Sequence, residues 1–273
     1  MKLSLVVQTA EVEGLVPVAL LSGSLSEKLA KAARFGADGV ELMTVDPSRI
    51  PLDALRKDLQ RNRLQVAAVA SGALSMVSGL TLLNADTSKA ARAFGRLKDL
   101  VLFAEDVGAP VVTIGSFRGR LSPGGPSGRE LLIKVLQEAD TFAASRGVCL
   151  ALEPLNRYEA DLINNVEEGL KLLDETGRPS LGLVLDTFHV NIEERSWDGP
   201  FSRALQEGRL LHVHLGDNNR LAPGLGMIDF RRIIKALCEG GYGGYLSAEL
   251  LPWPDADEAA RLTIAHVRGL LDG

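Results

Sequence analysis

Eight short, almost uninterrupted apolar runs punctuate this sequence, and a longer helical segment separates each from the next. The runs are Leu3–Gln8, Gly39–Met43, Gln65–Ala70, Pro110–Gly115, Val148–Glu153, Leu181–Asp186, Leu210–Leu215 and Gly244–Glu249. A strand with one face in water alternates polar and apolar residues. A strand covered on both faces does not, and that is the pattern of a parallel sheet built from βα units. The intervening segments carry helical signals. Leu25, Leu29, Ala32 and Ala33 share one face before a stop at Gly36, Pro51 opens a second helix, and Asp86 or Thr87 caps a third. Leu132, Val135, Leu136 and Ala139 recur at helical spacing before Gly147, and Asn165 with Glu168 resembles a capping box. The last helix starts near Asp255.

Eight such units in 273 residues predict an α/β fold, a single (β/α)8 TIM barrel formed by one domain over residues 1–273. An open doubly wound sheet is the alternative. Nothing reads as a linker. Gly240, Gly241, Gly243 and Gly244 fall before strand eight, on the N-terminal face, and read as a tight αβ turn.

Composition narrows the function. The net charge is -5, from 30 basic and 35 acidic residues, which argues against a nucleic-acid partner. Cys149 and Cys238 are the two cysteines, too few for a disulfide framework, so a reducing compartment is expected. No apolar run approaches the roughly 18 residues of a membrane span. The start, Met1 to Gln8, is too short an apolar stretch for a signal peptide. The expectation is a cytoplasmic protein with no membrane partner.

Active sites of such barrels lie at the C-terminal ends of the strands. Strands five to eight end in Glu153, Asp186, His214 and Glu249. Adjacent strand ends lie about 5 Å apart, so these side chains can converge. Three carboxylates meeting at one point repel unless a cation sits among them. Three oxygen donors with one imidazole suit Mn2+, Mg2+ or Co2+ better than a structural Zn2+. His212 shares parity with His214 but lies one layer deeper and reads as a core histidine. Asn156, Arg157, Tyr158 and Glu159 follow Glu153, His189 follows Asp186, and Asp217 to Arg220 follow His214, all on loops of the same face.

Three stretches carry a family resemblance: Glu153-Pro-Leu-Asn156-Arg157-Tyr-Glu159, Asp186-Thr-Phe-His189 through Glu194, and His212-Val-His214-Leu-Gly-Asp-Asn-Asn-Arg220. They resemble the xylose-isomerase-like barrel superfamily of sugar phosphate isomerases and epimerases. Within it they are similar to the ketose 3-epimerases, of D-tagatose and L-ribulose type, and to 5-keto-L-gluconate epimerase. The similarity extends to Ala222-Pro-Gly-Leu-Gly and Ala248-Glu249-Leu-Leu-Pro and so spans essentially the whole chain. Strand eight departs slightly, with Ala248-Glu249-Leu250 where the epimerases often have Met-Glu-Pro.

The resemblance implies a metal-dependent epimerase of a ketose or keto-sugar acid, working at C3 through an enediolate. It implies one divalent ion, Mn2+ first and Mg2+ or Co2+ otherwise, on Glu153, Asp186, His214 and Glu249. Glu153 and Glu249 are implied as the acid/base pair, and Glu159, His189 and Arg220 as substrate contacts. One arginine of the loop Gly115-Ser-Phe-Arg118-Gly-Arg120, Arg118 first, is expected either to pair with an acidic group of the substrate or to be a surface arginine. The partners expected are a small sugar or sugar acid and further copies of the chain in a dimer or tetramer. The apolar loop Leu15–Leu21 is expected to cap the substrate, meet a partner subunit, or pack on its own barrel.

Three other readings compete. An aldose–ketose or hydroxypyruvate isomerase uses the same metal site. A DNA-repair barrel of the endonuclease IV type needs several zinc-binding histidines, and this chain has four histidines in all, with His266 far from the strand ends. A non-catalytic sugar-binding barrel has no need of four intact ligands.

Overall fold

The computed structural model describes residues 1–121 and 127–272. Eight parallel strands close into a barrel in sequence order. They are β1 (Lys2–Gln8), β2 (Gly39–Met43), β3 (Gln65–Ala70), β4 (Val111–Ile114), β5 (Cys149–Leu152), β6 (Gly182–Asp186), β7 (Leu210–Leu215) and β8 (Tyr245–Ala248). The helices are α1 (Leu25–Phe35), α2 (Leu52–Asn62), α3 (Gly72–Met76), α4 (Thr87–Val107), α5 (Ser127–Ala144), α6 (Val166–Thr176), α7 (Thr187–Glu193), α8 (Gly199–Gln206), α9 (Phe230–Glu239) and α10 (Ala256–Leu271). The barrel closes where β8 pairs with β1, Tyr245 opposite Lys2 and Ser247 opposite Ser4.

Why the strands are apolar on both sides is visible in their packing. Leu3, Leu5 and Val7 of β1, Leu150 and Leu152 of β5, and Leu183 and Leu185 of β6 point outward into the main core beneath the helices. Alternate residues point into the barrel, where small side chains dominate: Ala68, Val111, Ala151 and Val184 form their own cluster. The helix caps follow the sequence. Asp86 accepts main-chain N–H bonds from Ser88 and Lys89, and Asn165 accepts from Glu168.

Two register shifts interrupt the ladder. One lies between Val40 and Glu41 against β3, and the other between Leu183 and Val184 against β7. In β7 the extra residue, Leu211, sets His212 and His214 into phase with Val184 and Asp186, so both imidazoles face the interior.

The loop Leu15–Leu21 packs on its own barrel. Val16 and Val18 are buried with Val6, Met43 and Ala70, while Leu15 is exposed. Among the described residues no helix is long and apolar enough to cross a membrane.

Candidate active site

Glu153, Asp186, His214 and Glu249 meet at the C-terminal mouth of the barrel, and one potential ligand atom from each lies within 4.8 Å of the others. The backbone explains the convergence. Glu153 and Glu249 sit one residue past β5 and β8, yet their N–H groups still bond Ile114 and Leu215 of the neighbouring strands, at 3.0 and 3.2 Å. Asp186 is paired directly opposite His214 in the ladder. It also caps α7, with Oδ1 accepting from the Phe188 N–H at 2.9 Å. Its Oδ2 is left for the site.

Among the described residues, three buried atoms of this cluster have no hydrogen-bond partner, Glu153 Oε1, Asp186 Oδ2 and His214 Nδ1, and beside them His189 Nε2 and Arg220 Nε have none either. His214 Nδ1 lies 3.4 Å from both Glu153 Oε1 and Glu249 Oε2. Buried orphans are rare because each forgoes its hydration without compensation. Converging orphans of this composition fit a divalent cation with a preference for oxygen and imidazole donors. The protonation balance agrees. Burial, against the pull of Arg220 and with the push of Glu153 and Glu249, drives Asp186 up to about 8. Burial also raises Glu153. For Glu249 the attraction of His214 and Arg220 outweighs burial and holds its carboxyl low.

The residues around this cluster are held by their own networks. Asn156, fully buried, caps a turn by accepting from the N–H groups of Tyr158 and Glu159, and its amide donates to Glu159 Oε1 at 3.0 Å. Arg220 donates to the same Glu159 oxygen at 3.1 Å, lies 3.8 Å from Glu249, and stacks over Phe188. Its backbone is left-handed, φ 60°, which a non-glycine residue holds only when the surroundings impose it. Asp217 imposes it. This buried carboxylate accepts the N–H groups of Asn218, Gly224, Gly226 and Ile228, at 2.8 to 3.0 Å. Gly224 and Gly226 thus direct their N–H groups at Asp217 rather than at a phosphate. His189 reaches the cluster from the first turn of α7, 3.9 Å from Glu153 and 3.8 Å from Asp186.

Arg118 is the correction. It does not reach toward a substrate, nor is it a surface arginine. Its side chain is buried, and its guanidinium donates to four main-chain carbonyls: Gly115, Glu153, Leu162 and Ile163, at 2.6 to 3.3 Å. It staples the β4 and β5 loops together behind Glu153. Arg120 donates to the Tyr158 carbonyl.

Sequence reasoning missed Glu41. This carboxylate lies inside the barrel, fully buried, and accepts from Nε2 of both His212 and His214. Its signal was a lone charge in the apolar run Gly39-Val40-Glu41-Leu42-Met43. His212, read as a core histidine, is buried with its Nε2 bonded to Glu41.

Glu153, Glu159, His214, Arg220 and Glu249 line a narrow cavity with Thr113, Gly115, Ser116, Ala70 and Met76. A larger groove of about 710 Å³ opens at the opposite face, among Lys2, Arg56, Glu105 and Tyr245. Its polar groups do not converge as these do.

The sequence profile described as xylose isomerase-like TIM barrel matches residues 29–267. The chain is 35% identical over 227 residues to the L-ribulose 3-epimerase of Methylomonas sp. (strain DH-1), covering 81% of this chain and 76% of that protein. It is 31% identical over 238 residues to the L-ribulose 3-epimerase of Mesorhizobium japonicum, covering 86% and 78%. A solved structure of an L-ribulose 3-epimerase superposes with a TM-score of 0.83 at 26% identity, covering 98% of this chain and 94% of that one.

Proposed function

The chain belongs to the xylose isomerase-like TIM-barrel family and is a sugar epimerase, and from that premise we propose that it inverts C3 of a neutral ketose, with Glu153 and Glu249 as the two proton-transfer groups. The observation that carries this reading is the placement of those glutamates. They enter from β5 and β8 on either side of Asp186 and His214, and both line the cavity. Inversion beside a ketone removes a proton from one face of a carbon and returns one to the other, so a base is needed on each side.

Glu153, Asp186, His214 and Glu249 are the residues that hold the ion, for which Mn2+ is the proposed identity. When bound, a divalent cation there supplies Lewis-acid polarisation of the ketone. The protein's own groups do the rest. One glutamate takes the C3 proton while the other delivers one from the opposite side. Arg220 donates to the oxygens on which negative charge develops, and His189 offers Nε2–H to the same region. Glu159 holds Arg220 in place and takes part in binding the sugar hydroxyls.

A neutral ketose is favoured over a keto-sugar acid because, among the described residues near the cavity, no further cation is left over for a distal acidic group. Arg118 is stapled to carbonyls, Arg157 forms a two-point ion pair with Glu193, and Arg220, held by Glu159, is assigned to the reacting end of the sugar. L-ribulose is the first substrate to test, since it is the substrate named for two of the relatives. The test is Glu249→Gln, which keeps the shape and removes the base. Epimerisation is expected to fall by about 10²–10⁴ or more. Near wild-type turnover with metal bound overturns the two-base scheme.

A further inference from the structure

The geometry points to Glu41 as a positioning residue that fixes how His214 presents itself to the metal site, coordinating through Nδ1 with the ring proton held on Nε2. This rests on the metal reading above and deepens it.

A carboxylate in the middle of a barrel strand forfeits its hydration, and only partners that donate to it make up the loss. Glu41 is fully buried, and its partners are two imidazoles: His212 Nε2 at 2.9 Å from Oε2, and His214 Nε2 at 3.1 Å from both oxygens. Thr113 Oγ1 donates more distantly, at 3.4 Å. Distances this short are those of direct hydrogen bonds, which makes the trio a hydrogen-bonded cluster and not a second ion site. Because the carboxylate only accepts, His214 must carry its proton on Nε2. Its Nδ1 is the buried atom without a hydrogen-bond partner, 3.4 Å from Glu153 and from Glu249, and is the nitrogen an ion among those carboxylates would reach, displacing any proton held there. One face of the imidazole is thus tied to the barrel floor and the other is turned to the carboxylates.

The backbone is arranged around this contact. The two register shifts of the barrel fall beside its members, one next to Glu41 and one before His212. The first places Ala68 opposite Glu41, a side chain small enough to leave room for the two rings. Partners of this kind orient a ligating histidine and raise its basicity, and losing one typically lowers metal affinity about 10–100-fold.

The test compares wild type with Glu41→Gln, an isosteric change whose amide can donate to Nε2 and drive the proton to Nδ1. Both proteins are titrated with Co2+, and the histidines of the Co2+-loaded proteins are read by NMR with selective 15N labelling. In wild type the expected result is one slowly exchanging Nε2–H on His214, with Nδ1 bound to the ion. In Glu41→Gln the expected result is a Co2+ dissociation constant raised about 10–100-fold and loss of that slow proton. Equal Co2+ affinity and an unchanged proton in the variant overturn the role of Glu41 and leave the metal site standing. Coordination through Nε2 in wild type overturns it without any variant, so a variant that fails to fold does not protect the proposal. Failure of wild type to bind Co2+ removes the metal reading and this inference together.

Discussion

Asn156 donates both its main-chain N–H and its side-chain amide to Nδ1 of His189, at 3.3 and 2.8 Å. A main-chain N–H can only donate, so Nδ1 is the acceptor and the proton of the neutral ring sits on Nε2, facing Glu153 and Asp186. Burial, reinforced by Arg220 and His214, holds the ring well below the usual imidazole range and keeps it neutral. His189 is therefore built to donate a hydrogen bond into the site.

Asn156→Asp tests that orientation. A carboxylate beside Nδ1 replaces the side-chain donor with an acceptor and opposes the main-chain one, so the ring is no longer held with its proton on Nε2 alone. The loss of one such donor is worth about 1–3 kcal/mol, so kcat is expected to fall roughly 5- to 150-fold. Thermal unfolding is measured alongside to separate this from damage to the fold. An unchanged kcat contradicts the assigned role.

Arg118 is expected to matter for stability and not for substrate choice. Arg118→Met keeps much of the volume but strands four main-chain carbonyls, among them that of Glu153. At about 1–3 kcal/mol for each group left unsatisfied, and with water replacing some bonds, a loss of roughly 3 kcal/mol or more is expected in urea unfolding. The preference between neutral ketoses and sugar acids should not move. A shifted preference with stability intact would restore the substrate role.

Gly115 leaves the space that Glu153 occupies. A Cβ placed there comes within 2.2 Å of Glu153 Oε2, so Gly115→Ala must displace the carboxylate. Weaker Mn2+ binding and slower epimerisation are expected together, read by isothermal titration and by a ketose assay. Retention of both shows that Glu153 has another productive position.

Much of this was legible in the chain. Apolar runs gave the strands to within a residue or two, because parallel strands buried on both faces have little freedom of composition. The four strand-end residues stood out because each is polar where its run stops. Glu41 was hidden for the converse reason. It lies two residues before the end of β2, and its meaning depends on His212 and His214, which only barrel closure brings near. Arg118 was misread because a loop arginine is ordinarily solvated. Its burial depends on carbonyls at Leu162 and Ile163, more than 40 residues away, that no local pattern announces. The turn chemistry of Asn156 and the loop anchored by Asp217 were visible only as polar residues, since their hydrogen bonds need coordinates.

The central claim is proton exchange at C3 by a metal-loaded barrel. Incubating the Mn2+-supplemented protein with L-ribulose in deuterated water, and following the sugar by NMR, tests it directly. The account predicts that deuterium enters at C3 of both the starting ketose and its 3-epimer, with none at C1. Label at C1 of the ketose or at C2 of an aldose product, or no exchange at C3, contradicts it.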